Sequence, residues 1–254
     1  MLSAVALSKS YGGSLALKGL SFTARPGQVI GLLGPNGSGK STTINMLTGL
    51  LHPTRGQVTW RGDSIHDDLP RYQLVLGYVP EEPRLYGYLT APDYLALVGG
   101  LRDLSDRDVE RRTDQYLELF GLSSDRYTPL ASYSKGMRQK VLIAAALLHD
   151  PEVVILDEPC SGLDLGSTLI LRSLVRTLAA QGKVIVYSSH VLDMVEKVCS
   201  DVLILHQGLV VAQDSVSRLR ELSRAASLEE VFASLAVDAD VERVGRALAD
   251  VARH

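Results

Sequence analysis

The stretch GPNGSGKST at residues 34–42 fits the pattern G-x-x-x-x-G-K-[ST]. Gly34, Gly37 and Gly39 let the backbone curl tightly enough for successive N–H groups to converge on phosphate oxygens. Pro35, Asn36 and Ser38 complete the loop between them and are candidate contacts with it. A helix that begins near Gly39 adds the positive end of its dipole. Lys40 is placed to neutralise β- and γ-phosphates, Ser41 to offer a hydroxyl to Mg2+, and Thr42 to reach an earlier phosphate. The loop implies a nucleoside triphosphate and Mg2+ as ligands.

A second set of chemical groups follows the apolar run in VVILDEP, which delivers Asp157 and Glu158 at the end of a buried strand. Strand alternation points the two carboxylates in different directions. Asp157 takes the metal role, and Glu158 is the candidate general base for an attacking water. His190 ends the next apolar run, KVIVYSSH, after Ser188 and Ser189. A lone His at a strand end is usually structural, but one beside the acidic strand is placed to donate to a γ-phosphate. Asp164, in SGLD directly after the acidic pair, lies close to the site or to a partner. Tyr11 is a base-stacking candidate, although the residues alone favour a core aromatic.

A third stretch, ASYSKGMRQK at 131–140, opens a helix with Ser134 as its N-cap. Gly136 in the first turns costs about 1 kcal/mol of helix propensity relative to Ala, so packing alone does not account for it. Ser134, the backbone of Lys135–Met137 and the helix dipole make a second anion site. One nucleotide is then wrapped by both sites of one chain or by sites from two. In a two-fold dimer, each helix start faces the other chain's phosphate loop.

The elements that must position these groups alternate between strand and helix. GQVIGLLG, PEVVILDEP and KVIVYSSH read as buried strands, each followed by a helical pattern. This order predicts an α/β fold with a mostly parallel sheet and helices on both faces. Ligands of such sheets sit beyond the carboxyl ends of the strands. From about Thr90 to Asp150 only helical patterns occur, which predicts a helical lobe at about 85–150 inserted into the core. Residues 1–30 and 56–65 read as antiparallel strands and turns. Residues 215–254 read as a helical, nearly neutral tail with six Arg and seven acidic residues.

Composition narrows the class. Of 254 residues, 46% are hydrophobic, which supports a sizeable core, and the net charge of -3 argues against a nucleic-acid-coating protein. Two cysteines, Cys160 and Cys199, make neither a disulfide framework nor a zinc site and fit a reducing compartment. The start MLSAVALSKSYGG has no basic residue ahead of its short apolar stretch and so does not read as a signal peptide, and no apolar run reaches the ~18 residues of a membrane span. If the protein works at a membrane, another chain does the spanning.

The ordered set GPNGSGKST, YSKGMRQK, VVILDEP, SGLD and the His of YSSH closely resembles the ATP-binding subunits of ABC transporters, over roughly residues 2–235. The resemblance implies a P-loop NTPase core with an N-terminal antiparallel β subdomain and an inserted helical signature subdomain. It implies that ATP is hydrolysed between two such subunits, with Ser134 and Gly136 pressing on the γ-phosphate of the partner's ATP. It implies adenine stacking by Tyr11 and a switch role for His190. It also implies an integral membrane permease as partner and a peripheral place on the cytoplasmic side of the membrane. Two departures stand out. Tyr133, Lys135 and Met137 replace three residues of the family's usual L-S-G-G-Q signature, and Glu81 stands where a Gln that reaches toward Mg2+ is usual. A carboxylate still serves a hard cation, so hydrolysis is expected with altered coupling. YSKGM, GYVPEEPRLYGYLT and SLEEVFASLA resemble the bacterial exporter-type branch that handles drugs, antibiotics, lipids or polysaccharides. The alternative is a soluble ABC-type ATPase acting on ribosomes or DNA, for which neither a second cassette nor a long insertion is visible.

Overall fold

A computed structural model describes residues 1–190, 192–223 and 227–236. In chain order the elements are β1 (Leu2–Tyr11), β2 (Ser14–Ala24), β3 (Val29–Leu33), α1 (Lys40–Leu47), β4 (Arg55–Trp60), β5 (Asp63–Ser64), α2 (Leu69–Leu74) and β6 (Leu76–Val79). They continue with α3 (Ala91–Gly100), α4 (Asp106–Leu119), α5 (Lys135–Leu147), β7 (Val153–Asp157), α6 (Leu165–Ala180), β8 (Val184–Ser188) and α7 (Leu192–Val198). The last are β9 (Asp201–His206), β10 (Leu209–Ser215), α8 (Val216–Ser223) and α9 (Leu228–Ala236). Of the helical tail expected at 215–254, α8 and α9 are seen, and residues 237–254 lie outside the described residues.

Two sheets organise the chain. One is antiparallel, in the order β2-β1-β4-β5. The other has six strands in the order β10-β9-β3-β8-β7-β6, all parallel except β10, which pairs antiparallel with β9. β3, β7 and β8 are buried at every position, which is why they read as unbroken apolar runs rather than alternating ones. Successive residues nevertheless go to opposite faces. Val154, Leu156, Ile185 and Tyr187 pack with α5, α6, α7 and α9 on one face. Ile30, Ile155, Val184 and Val186 pack on the other with Ile44 and Leu47 of α1 and with Leu2, Leu7 and Leu20 of the antiparallel sheet. Three of the six strands, β6, β9 and β10, go beyond those named from sequence. β10 is an edge strand with mostly exposed or half-buried residues, so it carries little apolar signal.

The helices between 90 and 150 start at recognisable caps. Thr90 Oγ1 accepts from the Asp93 N–H, and the Asp93 carboxylate accepts from the Thr90 N–H, both at 3.3 Å. Ser105 caps α4 in the same way through the Asp108 N–H. α5 differs from both because from Val141 onward it is apolar on every side. Its Leu142, Ile143 and Ala146 face the sheet, while Val141, Ala144, Ala145 and Leu148 just beyond its end face α3 and α4. A helix buried on both sides needs a continuous apolar run, and VLIAAALL supplies it.

The core outweighs the caps. Ile155→Ala, at a fully buried position of β7, is expected to lower unfolding free energy by about 2–5 kcal/mol. Thr90→Ala should lower it by only about 1 kcal/mol. Urea denaturation of both variants checks the ordering.

Candidate functional site

The fully buried β3 ends at Leu33, and the chain turns through residues 34–39 before α1 opens at Lys40. Gly39 precedes that helix in the left-handed conformation, with φ of 109°. At Gly34 any side chain is excluded, because a Cβ would sit 2.3 Å from Ser38 Oγ and 2.5 Å from the Leu205 carbonyl oxygen. Ser38 is thus buried beneath the loop rather than presented at its mouth. Lys40 Nζ arches back and donates to the carbonyls of Gly34 at 2.6 Å and Pro35 at 3.2 Å. Burial lowers the Lys40 ammonium from its ordinary value, against the pull of Glu158, Asp157 and Glu81, in that order.

Gly34, Pro35, Asn36, Gly37, Gly39, Lys40, Ser41, Thr42, Glu81, Asp157, Glu158 and His190 all line one cleft of about 620 Å3. It opens beyond the carboxyl ends of β3, β7 and β8, where ligands of open parallel sheets sit. Ala16, Leu33, Ser189, Leu192 and Phe232 complete the wall. Sequence reasoning did not bring Phe232 of α9 to this place, about forty residues beyond His190 in the chain. Its only local signal is the apolar pattern of SLEEVFASLA.

Asp157 is the last residue of β7, in register with Ser188 of β8. Burial pushes its carboxyl up to about 6, reinforced by the charges of Glu81 and Glu158 and opposed by Ser188 and Lys40. Glu158 is buried too, but it is no longer in the strand. Its φ is 45°, a left-handed conformation rare outside glycine. Glu158 therefore does not continue the strand alternation that was expected to separate the two carboxylates. The Glu158 N–H still donates to the Ser188 carbonyl at 3.0 Å, which holds the turn against β8. Its Oε2 faces His190 Nδ1 at 2.8 Å and accepts from Ser189 Oγ at 3.4 Å. The His190 side chain is otherwise 74% exposed. With Nδ1–H directed at a carboxylate, Nε2 donates to a phosphate only in the imidazolium form.

The start of α5 lies outside this cleft. Ser134 Oγ accepts from the Met137 N–H at 3.2 Å, as an N-cap should. The reason for Gly136 is a close approach. A Cβ there would lie 2.4 Å from the Gly162 carbonyl oxygen. Lys135 Nζ reaches Ser161 Oγ at 2.6 Å, and buried Gln139 donates to the Pro159 carbonyl at 3.2 Å. The helix start is therefore clasped to the loop that leaves Glu158. Asp164, at the end of that loop, caps α6 by accepting from the Ser167 N–H at 2.8 Å and its hydroxyl at 2.9 Å. Those bonds hold its carboxyl below the usual range. Asp164 also lies outside the cleft lining, and so does Tyr11. Tyr11 is half-exposed at the end of β1 with the Lys9 ammonium 5.5 Å from its ring centre, which corrects the core reading.

Among the described residues there is no group of three or more His, Cys, Asp or Glu side chains that would hold a metal by themselves. Ser41, Asp157 and Glu81 are hard oxygen donors on the cleft wall. That set suits a cation shared with phosphate oxygens rather than one caged by protein.

A Gly136→Ala variant should lose about 1–3 kcal/mol of stability, since the clash is with backbone on a packed loop. Urea denaturation measures it. An unchanged midpoint would show that the 158–164 loop is not held as described.

The sequence model of the ABC transporter family matches residues 17–161, more than half of the chain. The ABC transporter ATP-binding protein NatA of Bacillus subtilis is 34% identical over 220 residues, covering 86% of this chain and 89% of NatA. A solved structure described as the ATP-binding subunit of an ABC transporter aligns with a TM-score of 0.87 and 35% identity, covering 92% of this chain and 99% of that one. A second solved structure, the dimeric post-hydrolysis state of the ATP-binding cassette MJ0796 with ADP and Pi, shares the fold with a TM-score of 0.78 at 24% identity. It covers 85% of this chain and 98% of that one. The phosphate loop, the buried acidic pair and the two-sheet architecture thus belong to a chain that is a member of the ABC transporter family, an ATP-binding subunit with an ATPase domain.

Proposed function

We propose that two copies of this chain, or this chain and a close relative, close on two ATP molecules and that hydrolysis reopens them. The observation that carries this reading is the separation of the two anion-binding features. The phosphate loop, Asp157, Glu158 and His190 share one cleft, while Ser134 and Gly136 lie outside its wall. A helix start that cannot serve its own chain's nucleotide is suited to serve another's. A cassette of the same fold is described as dimeric with ADP and Pi bound, which supports pairing of two such chains.

In this reading Lys40 and the loop N–H groups bind the β- and γ-phosphates, and Tyr11 stacks on adenine. Ser41, Asp157 and Glu81 would hold Mg2+, which when bound would supply positive charge beside the phosphate oxygens. Glu158 polarises the attacking water, and His190, fixed against Glu158, holds the γ-phosphate. Ser134, Gly136 and Asp164 of the opposite subunit complete the site. The chain comprises an ATPase domain over 1–235 with the helical lobe of about 85–150 inserted in it, followed by the tail. No helix among the described residues is long and apolar enough to cross a membrane. A separate integral permease is the proposed transport partner, as membership of the ABC transporter family suggests, engaged from the cytoplasmic side through the surface after Glu81 that carries Arg84, Leu85 and Tyr86. Export of a drug, antibiotic, lipid or polysaccharide is the proposed direction and cargo class, supported by the YSKGM form of the signature.

Glu158→Gln should lower ATP turnover by about 100-fold or more, the range of a lost general base, and should trap dimers with ATP on size exclusion. Undiminished turnover would remove Glu158 from that role, and a variant that stays monomeric with ATP would remove the shared site. Asp157 yields a prediction with a definite sign. Burial pushes its folded carboxyl up to about 6 from the ordinary 3.8, so the folded state binds the proton more tightly. Its favourable contribution is present below about pH 4 and is lost as pH rises through about 6, by up to about 3 kcal/mol. Asp157→Asn should then raise stability without nucleotide at pH 7.5 by about 1–3 kcal/mol, and little at pH 4. The same variant should lose Mg2+-dependent nucleotide affinity. Urea denaturation at the two pH values and a nucleotide titration with and without Mg2+ read out both halves.

A further inference from the structure

The His190 side chain is 74% exposed, so its position is set by its backbone more than by packing. That backbone runs within two residues into α7, whose Met194, Val195 and Val198 are buried in the same cluster as Leu228 and Val231 of α9. Leu228 and Val231 are both fully buried, so α9 is anchored there and not merely laid on the surface. One side chain joins all three helices. Glu196 of α7, only 25% exposed, accepts from Arg220 Nη1 of α8 at 2.7 Å through Oε1. Its Oε2 accepts from the Leu228 N–H, the first of α9, at 3.2 Å. A half-buried carboxylate with charge-assisted and backbone partners makes a strong local tie. Phe232, one helical turn past Leu228, reaches the nucleotide cleft beside Leu192.

We propose that Glu196 is a positioning residue for ATP hydrolysis: it ties the tail helices α8 and α9 to α7 and thereby holds His190 against Glu158. Helices α8 and α9 are then part of the catalytic apparatus of this chain, although they supply no group to the phosphates. Loosening the tie lets the start of α7 drift, and His190 leaves Glu158 while the phosphate loop keeps its shape. The signature of this arrangement is a loss of turnover without a matching loss of nucleotide binding. Misplacing a catalytic group by about an ångström is enough for a large rate effect.

The inference rests on hydrolysis at this cleft, so wild-type ATPase activity is measured alongside Glu196→Ala, Glu196→Gln and Glu221→Ala in the full chain. Glu221 pairs with Arg218 on the exposed side of α8 and serves as the control. Glu196→Ala is expected to lower kcat about tenfold with KM for ATP changed less than twofold. Glu196→Gln, which keeps an oxygen for the Leu228 N–H, should retain more activity, and Glu221→Ala should match wild type. In a His190→Ala background, adding Glu196→Ala should change kcat less than twofold, because both act through one group. If Glu196→Ala does not fold, Glu196→Gln carries the same comparison with His190→Ala. An inactive wild type overturns the ATPase reading together with this inference. With an active wild type, unchanged kcat in the Glu196 variants, or effects that multiply with His190→Ala, overturn this inference alone.

Discussion

Everything in this chain is arranged around carboxylates kept out of water at the ends of parallel strands. Asp157 and Glu158 are both buried, Glu81 shares their cleft, and Lys40 is the cation that faces them. Such a cluster is costly to keep charged, and burial pushes the Asp157 carboxyl up to about 6. It persists because the strands that carry it are over-determined. β7 is paired on both sides, by β6 and β8, and each of its residues is buried. Removing the charge is easier than moving the strand, which places the strain at the functional site and the compensation in the core.

The left-handed turn at Glu158 shows how the same constraint directs the side chains. A residue in the strand beyond Asp157 would continue the pleat, whereas φ of 45° re-aims the carboxylate toward Ser189 and His190. The loop that follows is then held from the far side by α5 through Lys135, Gly136 and Gln139. That contact joins the start of α5 to the loop that carries Glu158, the proposed general base. α5 is buried on both sides, so it packs against the helices of the 90–150 region as well as the parallel sheet. On the opposite flank, α7 and α9 pack together in the core.

Much of this was legible in the amino-acid sequence, for identifiable reasons. The phosphate loop is local chemistry: glycines at 34, 37 and 39 and Lys40 act within one turn, so spacing alone reveals them. β3, β7 and β8 are buried on both faces and therefore appear as apolar runs. Ser134 was readable as a cap because capping joins residues three apart. The sequence by itself determined the ligand class, the α/β alternation and which residue types carry the charge. Only the tertiary structure decided that Gly136 answers to Gly162, that Tyr11 is exposed, that Glu158 leaves the strand and that Phe232 joins the cleft. Each of these depends on chain segments brought together, or on a backbone angle held, by packing between distant residues, and spacing along the chain does not encode that distance.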